Sequence, residues 1–148
     1  MIECHADGST TTMSLLEPKD LPNVWQDLMA KIEEDSDFAD LYTPEWIFEQ
    51  IVKQKLQVWQ IEDALLLTQV SLFPRASVFQ IIFANGEGLV KNIPLCWEIF
   101  QRFAVTQNCT SIVLFGRKGW ARKLAKQFPE VKESAVALKA RVAWPKGH

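Results

Sequence analysis

The sequence predicts a mixed α/β (α+β) domain in which two helices precede strands that alternate with further helices. Three observations lead to this fold class. Apolar residues first recur at three- and four-residue steps, which is the helical period, and then form the short runs that are typical of strands. Strand-like and helical segments alternate in the second half of the chain. The length, 148 residues, is that of one ordinary domain.

The first part of the chain combines a polar start with two helical patterns. Residues 1–18 are rich in Ser and Thr and show no periodicity, so we expect a flexible polar arm, followed by a single domain over residues 19–148. An apolar stripe from Leu21 to Ile32 predicts the first helix. The tripeptide Thr43–Glu45 supplies an N-cap hydroxyl, a proline and an acid, which predict the start of a second helix.

The rest of the chain is dominated by strand patterns. Leu56–Ile61 and Ala64–Phe73 predict a β-hairpin around Glu62-Asp63, and the three consecutive leucines of the second segment favour a central strand that is buried on both faces. The remaining predicted elements are a strand at Ser77–Ala84, a helix from Pro94 to about Gln107, a strand at Thr110–Phe115, a helix from about Lys118 to Phe128 and a half-buried strand within Val131–Trp144.

Composition excludes several classes of protein. Hydrophobic residues make up 48% and charged residues 23% of the chain, which is a globular balance. Apolar runs are too short for a membrane span, and the first residues lack the pattern of a secretion signal. The three cysteines lack metal-ligand spacing and are expected to be reduced thiols. His5 and His148 lie at opposite ends, so neither a zinc or iron centre nor a Ser-His-Asp site is expected.

Charge is distributed unevenly along the chain. Residues 1–63 contain fourteen acidic and four basic residues, a net charge of −10, whereas residues 64–148 contain four acidic and twelve basic residues, a net charge of +8. An acidic helical layer packed beside a basic half explains this pattern. The alternative explanation is a surface of two signs, suited to head-to-tail assembly or to nucleic acid.

Two glycine-containing turns lie between a strand and a helix, where backbone amides could hold an anion. In the first, Asn85–Gly88, the acid Glu87 would repel a phosphate, and Pro94 indicates that the next helix begins five or six residues later. The second, Gly116–Gly119, leads into a helix whose basic face is either an interaction surface or an ordinary solvated face. That basic face consists of Arg117, Lys118, Arg122, Lys123 and Lys126.

Three stretches carry a family resemblance: Leu56–Ile61, Phe103–Cys109 and Phe115–Leu124, the last with the most specific pattern, Gly-Arg-Lys-Gly-Trp. With the element order, they make roughly residues 20–143 resemble the GNAT (N-acetyltransferase) superfamily, and most closely the small GNAT-like proteins of tailed bacteriophages. The resemblance implies a GNAT-like mixed, twisted central sheet with helices on both faces and two N-terminal helices. It also implies a splay between two central strands, where active relatives bind acyl-CoA.

The chain departs from the superfamily pattern at the positions that matter for chemistry. Active GNAT enzymes hold the CoA pyrophosphate with an Arg/Gln-x-x-Gly-x-Gly/Ala loop, which here lacks the basic residue and contains an acid. The helix Lys118–Phe128 has no tyrosine to act as a general acid, and the central strands carry no carboxylate base, so we nominate no catalytic residue. The candidate CoA-binding residues that the resemblance implies are Phe83, Ala84, Asn85, Gly86 and Gly88.

These departures favour a GNAT-fold bacteriophage protein that is catalytically inactive, needs no cofactor and acts as a virion-associated structural or docking component. Its expected partners are other virion proteins or further copies of itself, in the virion or the host cytoplasm. The alternative is an N-acetyltransferase that uses acetyl-CoA to modify a host or phage protein or a small amine. Nucleic-acid binding is a third, disfavoured hypothesis, because no aromatic suited to base stacking is interleaved with the basic residues.

Overall fold

An open six-stranded sheet organises the chain in the computed structural model, which describes residues 1–6, 8, 10–115, 118–132, 140–143 and 145. Met1–Gly116 and Arg117–His148 form two compact units. The strands are β1 (Ile2–Cys4), β2 (Met13–Leu16), β3 (Leu56–Ile61), β4 (Ala64–Leu72), β5 (Ser77–Asn85) and β6 (Ser111–Leu114). The helices are α1 (Leu21–Glu33), α2 (Ser36–Ala39), α3 (Pro44–Val52), α4 (Ile93–Thr106) and α5 (Lys118–Gln127), with 3-10 helices at Pro18–Asp20 and Glu87–Asn92.

The sheet is mixed, and its strands lie in chain order from β1 to β6. Neighbouring strands from β1 to β5 are antiparallel, whereas β5 and β6 are parallel because α4 carries the chain back between them. In the described residues, β6 pairs with Val78–Ile81 of β5. The last part of β5, Ile82–Asn85, therefore extends beyond the described part of its parallel neighbour. The combination of antiparallel and parallel pairs confirms the mixed sheet that the resemblance implies.

The central strand β4 is buried on both faces, as its run of leucines predicts. Leu65 and Leu67 belong to an apolar cluster formed with α1, α2 and α3. The alternate side chains of the strand point to the opposite face, which α4 covers. On that face Trp59 of β3 meets Phe100 of α4 edge-on, with ring centroids 5.1 Å apart. Helices thus cover both faces of the sheet.

A β-bulge in β5 changes which side chains face the helices. Leu67 of β4 lies opposite Phe83, but the next residue, Thr68, lies opposite Ile81, so Ile82 is the extra residue of the bulge. Ile82 and Phe83 both pack against the cluster formed with α1 to α3. The bulge therefore directs two consecutive β5 side chains to the same face.

The two predicted N-terminal helices are confirmed, and local chemistry fixes the start of the second. Thr43 accepts a hydrogen bond from the Trp46 amide at 3.1 Å, and Pro44 occupies the first turn of α3. The short helix α2 was not predicted. The Asp35 carboxylate caps this helix by accepting a hydrogen bond from the backbone amide of Phe38. The side chain of Phe38 is buried and packs against Phe83.

The flexible arm expected over residues 1–18 contains two strands instead. β2 pairs with β3, and Met13 is fully buried opposite Ile61. β1 then adds to the free edge of β2. Strands of three and four residues are too short to show a period in the sequence. They depend instead on tertiary pairing, of β2 with β3 and of β1 with β2.

The second unit is described by itself. The predicted basic helix is present as α5, whereas the strand expected within Val131–Trp144 falls mainly on residues outside the described part of the chain. Among the helices that the structure describes, none has both the length and the apolar character that crossing a membrane requires.

A buried hydroxyl links β3 and β4 and provides the first test. Thr68 accepts a hydrogen bond from the Trp59 indole N–H at 2.8 Å and donates to the Gln57 side chain at 2.9 Å. Thr68→Val keeps the shape of the side chain but leaves the buried indole without its acceptor, so we expect a loss of about 1–3 kcal/mol in the free energy of unfolding. Urea denaturation monitored by circular dichroism measures this loss.

The matched control is Thr110→Val, at an exposed threonine whose hydroxyl lies 3.5 Å from the Ser77 carbonyl oxygen. It should change stability by less than about 0.5 kcal/mol. Equal losses for the two variants would contradict the role assigned to the buried hydroxyl.

Candidate functional site

The candidate site is the junction between β5 and the 3-10 helix Glu87–Asn92. This junction lies next to the turn of the β3–β4 hairpin. Because β4 and β5 are antiparallel with Leu65 opposite Asn85, the turn Glu62-Asp63 lies beside Gly86–Gly88. Gly86 has φ +142°, and a Cβ atom there would lie 2.3 Å from the Ala64 Cα. Only glycine fits this close approach, which seats the loop against the hairpin.

The Asp63 carboxylate occupies the backbone amides of this loop. Its Oδ2 accepts from the Glu87 N–H at 2.9 Å, and its Oδ1 accepts from the Gly88 N–H at 2.7 Å. The Gly88 amide, followed by the Glu87 amide, lowers the pKa of Asp63, because both hydrogen bonds favour the charged carboxylate. The two N–H groups that open the 3-10 helix are therefore bound to an anion that the chain itself supplies.

Acidic side chains also surround the rest of the loop. Glu87 is exposed on it, and a Cβ atom at Gly88 would lie 2.8 Å from Oε2 of Glu62. Lys91 balances one of these charges through an ion pair of 3.0 Å with Glu62. Among the described residues, the carboxylates of Glu34, Glu62, Asp63 and Glu87 thus outnumber the two lysines near the junction, Lys31 and Lys91, and both lysines are already paired with acids. This excess of negative charge is the reverse of what a phosphate requires.

The five residues implied as a CoA site lie together at this junction, and four of them, Phe83, Ala84, Asn85 and Gly88, have partners within the chain. Phe83 is buried, and its ring centroid lies 5.2 Å from that of Phe38. Ala84 pairs with Leu66 across the sheet. The Asn85 side-chain amide donates to the Lys31 carbonyl oxygen at 3.3 Å and to Glu34 at 3.1 Å.

This arrangement does not fit the pyrophosphate of acyl-CoA. A helix N-terminus binds phosphate through amides that are free to donate. Here the Glu87 and Gly88 amides donate to Asp63, and the phosphate would have to displace one carboxylate while lying close to two more. The Gly88 carbonyl is held in turn by the buried Asn92 side chain at 2.7 Å, which fixes the turn in this form.

The helix that Pro94 predicts is confirmed, and a 3-10 helix that was not predicted precedes it. α4 does start at Ile93, with Pro94 in its first turn. However, the 3-10 helix Glu87–Asn92 fills the expected gap and joins α4 directly. Gly88 therefore lies in the first turn of this 3-10 helix. Short 3-10 helices commonly precede an α-helix, and this one begins without a proline.

The basic face is described only in part. Lys123 and Lys126 are exposed on α5, and Lys118 and Arg122 belong to the same helix, whereas Arg117 lies outside the described residues.

Tyr42, the single tyrosine of the chain, is stacked on Trp46 with ring centroids 4.8 Å apart.

Metal and thiol chemistry receive no support from the described residues. In that part of the chain no group of three His, Cys, Asp or Glu side chains could hold a metal ion. Burial raises the pKa of the Cys96 thiol to about 12, so this cysteine is protonated near neutral pH and is not an activated nucleophile.

Asp63 is the residue that reasoning from the sequence missed. The turn Glu62-Asp63 and the turn Asn85–Gly88 were considered separately, one as a hairpin tip and the other as a loop before a helix. The signal that joins them is the predicted antiparallel pairing of β4 with β5, since the start of one strand then adjoins the end of the other.

Comparison with known proteins supports the fold. No family model matches the chain, and no curated protein sequence matches it. Among solved structures, it is similar to an aminoglycoside acetyltransferase from an uncultured soil metagenomic sample, in complex with sisomicin, with a TM-score of 0.63 and 14% identity over 90% of this chain and 97% of that chain.

Two further structures agree. A probable acetyltransferase gives a TM-score of 0.64 at 9% identity, over 90% of this chain and 98% of that chain. The ribosomal-protein-alanine N-acetyltransferase of Brucella melitensis biovar Abortus 2308 gives 0.56 at 10% identity, over 89% and 99%. The fold is thus the mixed α+β fold of GNAT-like acetyltransferases. These neighbours give no support to the bacteriophage part of the resemblance.

The Asp63 contact predicts a specific dependence of stability on pH. The folded state lowers the pKa of Asp63 below the unfolded value of about 3.9, so its stabilisation is complete above that value and is lost as the pH falls through the folded pKa. Asp63→Asn should therefore lower the free energy of unfolding most at neutral pH, and its difference from the wild type should shrink in acid. Urea denaturation at a series of pH values measures the difference.

Asp40→Asn removes one negative charge from an exposed position at the end of α2 and is the matched control. An Asp63→Asn difference that stays constant from neutral to acidic pH, or that Asp40→Asn reproduces, would contradict the assignment.

Proposed function

We propose that this chain is a GNAT-fold docking protein whose loop at residues 83–88 does not take acyl-CoA. The observation that carries the proposal is the pair of hydrogen bonds from Glu87 and Gly88 to Asp63. A fold can keep its architecture while its cofactor loop is used for internal contacts, because stability depends on the core and chemistry depends on the site.

The charge of the loop supports the same conclusion. Binding of a pyrophosphate would require the Asp63 carboxylate to leave two amides and would bring the ligand near Glu62 and Glu87. Lys91, one of the two lysines near this junction, is already paired with Glu62. Lys31, whose positive charge also helps to lower the pKa of Asp63, is paired with Asp27, so a pyrophosphate would have to compete with carboxylates for both lysines.

Thermal unfolding in the presence of acetyl-CoA tests the proposal. A ligand that binds only the native state at about 100 times its Kd stabilises a protein by about 2.7 kcal/mol. We expect no rise in the Tm of the wild type at millimolar acetyl-CoA, with an active GNAT acetyltransferase as the positive control. A saturable rise would overturn the proposal.

The variant Asp63→Ala extends this experiment, because it frees the amides of Glu87 and Gly88 while leaving the rest of the loop unchanged. A rise in Tm with acetyl-CoA in this variant and not in the wild type would identify the carboxylate as the group that excludes the cofactor. A rise of equal size in both proteins would instead favour the alternative function.

That alternative is an acyl-CoA-dependent N-acetyltransferase. It is favoured by one observation, the extension of Ile82–Asn85 beyond the described part of its parallel partner β6. The resemblance implies a splay between two central strands, where active relatives bind acyl-CoA, and we propose that β5 and β6 are these strands. Acetyl-CoA would then be the cofactor. The thermal experiment with acetyl-CoA separates this function from docking.

The finer form of the proposal is a virion-associated role, and it rests on the sequence resemblance alone. If the chain docks on other virion proteins, it should remain with intact particles through density-gradient purification and be detected by mass spectrometry of the purified virions. Its absence from virions that retain their other structural proteins would remove this role and leave the docking proposal to be tested on other partners.

A further inference from the structure

A shallow apolar groove lies on the outer surface of the N-terminal helices. It has a volume of about 420 Å³ and runs between the start of α1 and the exposed side of α3. A second depression of about 360 Å³ adjoins it, lined by Trp25, Pro44, Glu45 and Phe48. Trp25 and Phe48 line both depressions, so this aromatic pair forms the wall that they share.

The aromatic pair is rigid in geometry but open to solvent. The rings of Trp25 and Phe48 meet edge-on, with centroids 5.6 Å apart and an interplanar angle of 87°. Phe48 is 51% exposed, and Val52, one turn further along α3, is 49% exposed. Large apolar side chains exposed together in a depression indicate an interaction surface rather than part of the core.

The helices that carry this groove are acidic overall, and Lys19 and Lys53, which adjoin its lining residues Pro18 and Val52 in the sequence, are each paired with a glutamate. Residues 21–52, which contain α1, α2 and α3, carry eight acidic residues and one basic residue, a net charge of −7. The one basic residue, Lys31, is paired with Asp27 at 2.9 Å. Glu45 lies at the edge of the groove, and in the described part of the chain no basic side chain forms an ion pair with it.

An electron-rich aromatic pair beside an unpaired carboxylate has the chemistry of a receptor for a cationic side chain. A guanidinium or ammonium group can lie against an aromatic face while a neighbouring carboxylate accepts its hydrogen bonds. The same negative charge disfavours nucleic acid and anionic membranes. Two adjoining open depressions suit an extended or helical segment better than a small molecule, which needs a more enclosed cavity.

We propose that the groove formed by α1 and α3 docks a cationic, amphipathic segment of a partner protein, with an arginine or lysine side chain held between Trp25, Phe48 and Glu45. Apolar side chains of the same segment would lie along Leu21 and Val52. The inference rests on the docking role proposed above and assigns that role a surface and a class of partner.

A binding experiment on the full chain tests this surface. The probe is a twelve-residue peptide, acetylated and amidated, with leucines at helical spacing and four arginines, and its counterpart has the four arginines replaced by glutamine. The readout is the Trp25 indole N–H resonance in ¹⁵N–¹H correlation spectra, assigned with Trp25→Phe. We expect a saturable shift with the arginine peptide and none with the glutamine peptide.

Glu45→Gln provides the sharper comparison, because Glu49 lies on the same helix as its matched control. Lys53 pairs with Glu49 and lowers the pKa of its carboxyl, so Glu49 is not available to a ligand. Glu45→Gln should weaken binding of the arginine peptide about two- to fivefold, and Glu49→Gln should leave it unchanged. Equal weakening by both substitutions would overturn the proposal, since it would indicate binding to the general negative charge.

The apolar part of the site has its own pair of variants. Phe48→Ala removes the shared wall of the two depressions and should weaken binding more than Glu45→Gln does, whereas Leu41→Ala, at a position that is 72% exposed and outside the groove, should not. Both residues are exposed, and unchanged spectra away from the groove confirm that each variant is folded. Equal affinity of Phe48→Ala and the wild type would overturn the proposal.

Sedimentation velocity without peptide identifies the competing occupant. Self-association that grows with protein concentration and disappears in Phe48→Ala would assign the groove to a second copy of the chain and overturn the partner proposal.

The peptide and acetyl-CoA results are independent. Failure of the groove to bind leaves the acetyl-CoA result standing, and a rise in Tm with acetyl-CoA overturns the proposed function without moving the Trp25 resonance.

Discussion

The contact on which the site depends is the approach of the β3–β4 turn to the end of β5. Gly86 permits this approach because a side chain there would collide with Ala64, and Asp63 then binds the amides of Glu87 and Gly88. The loop is consequently held in one conformation by two charge-assisted hydrogen bonds, which are stronger than bonds between neutral groups.

The core of this fold does not depend on a ligand at the loop of residues 83–88. The core of the first unit is formed by β4, which is buried on both faces, and by the helices that cover it. None of that packing requires a ligand at residues 83–88. The loop amides still need acceptors, and the chain supplies one from the neighbouring hairpin, which satisfies the backbone without a phosphate.

The face that carries α1 and α3 differs from the loop in its chemistry. At the junction, carboxylates are engaged by backbone amides and by Lys91. On the outer surface of the helices, one exposed carboxylate, that of Glu45, lies beside the aromatic pair of Trp25 and Phe48. Negative charge has a structural role at the junction, whereas at the groove it is the feature on which the proposed docking of a cationic segment depends.

The sequence by itself determined the helices α1 and α3, the hairpin of β3 and β4, and the central position of β4, because periodicity, the Thr43 cap and the run of leucines act over neighbouring residues. It did not determine β1, β2 or the short helix α2, whose few residues show no period. Whether the amides of the glycine loop are free or bound was also decided by the tertiary structure. Asp63 and Gly88 are 25 positions apart in the chain, and only the register of β4 against β5 brings that carboxylate to those amides.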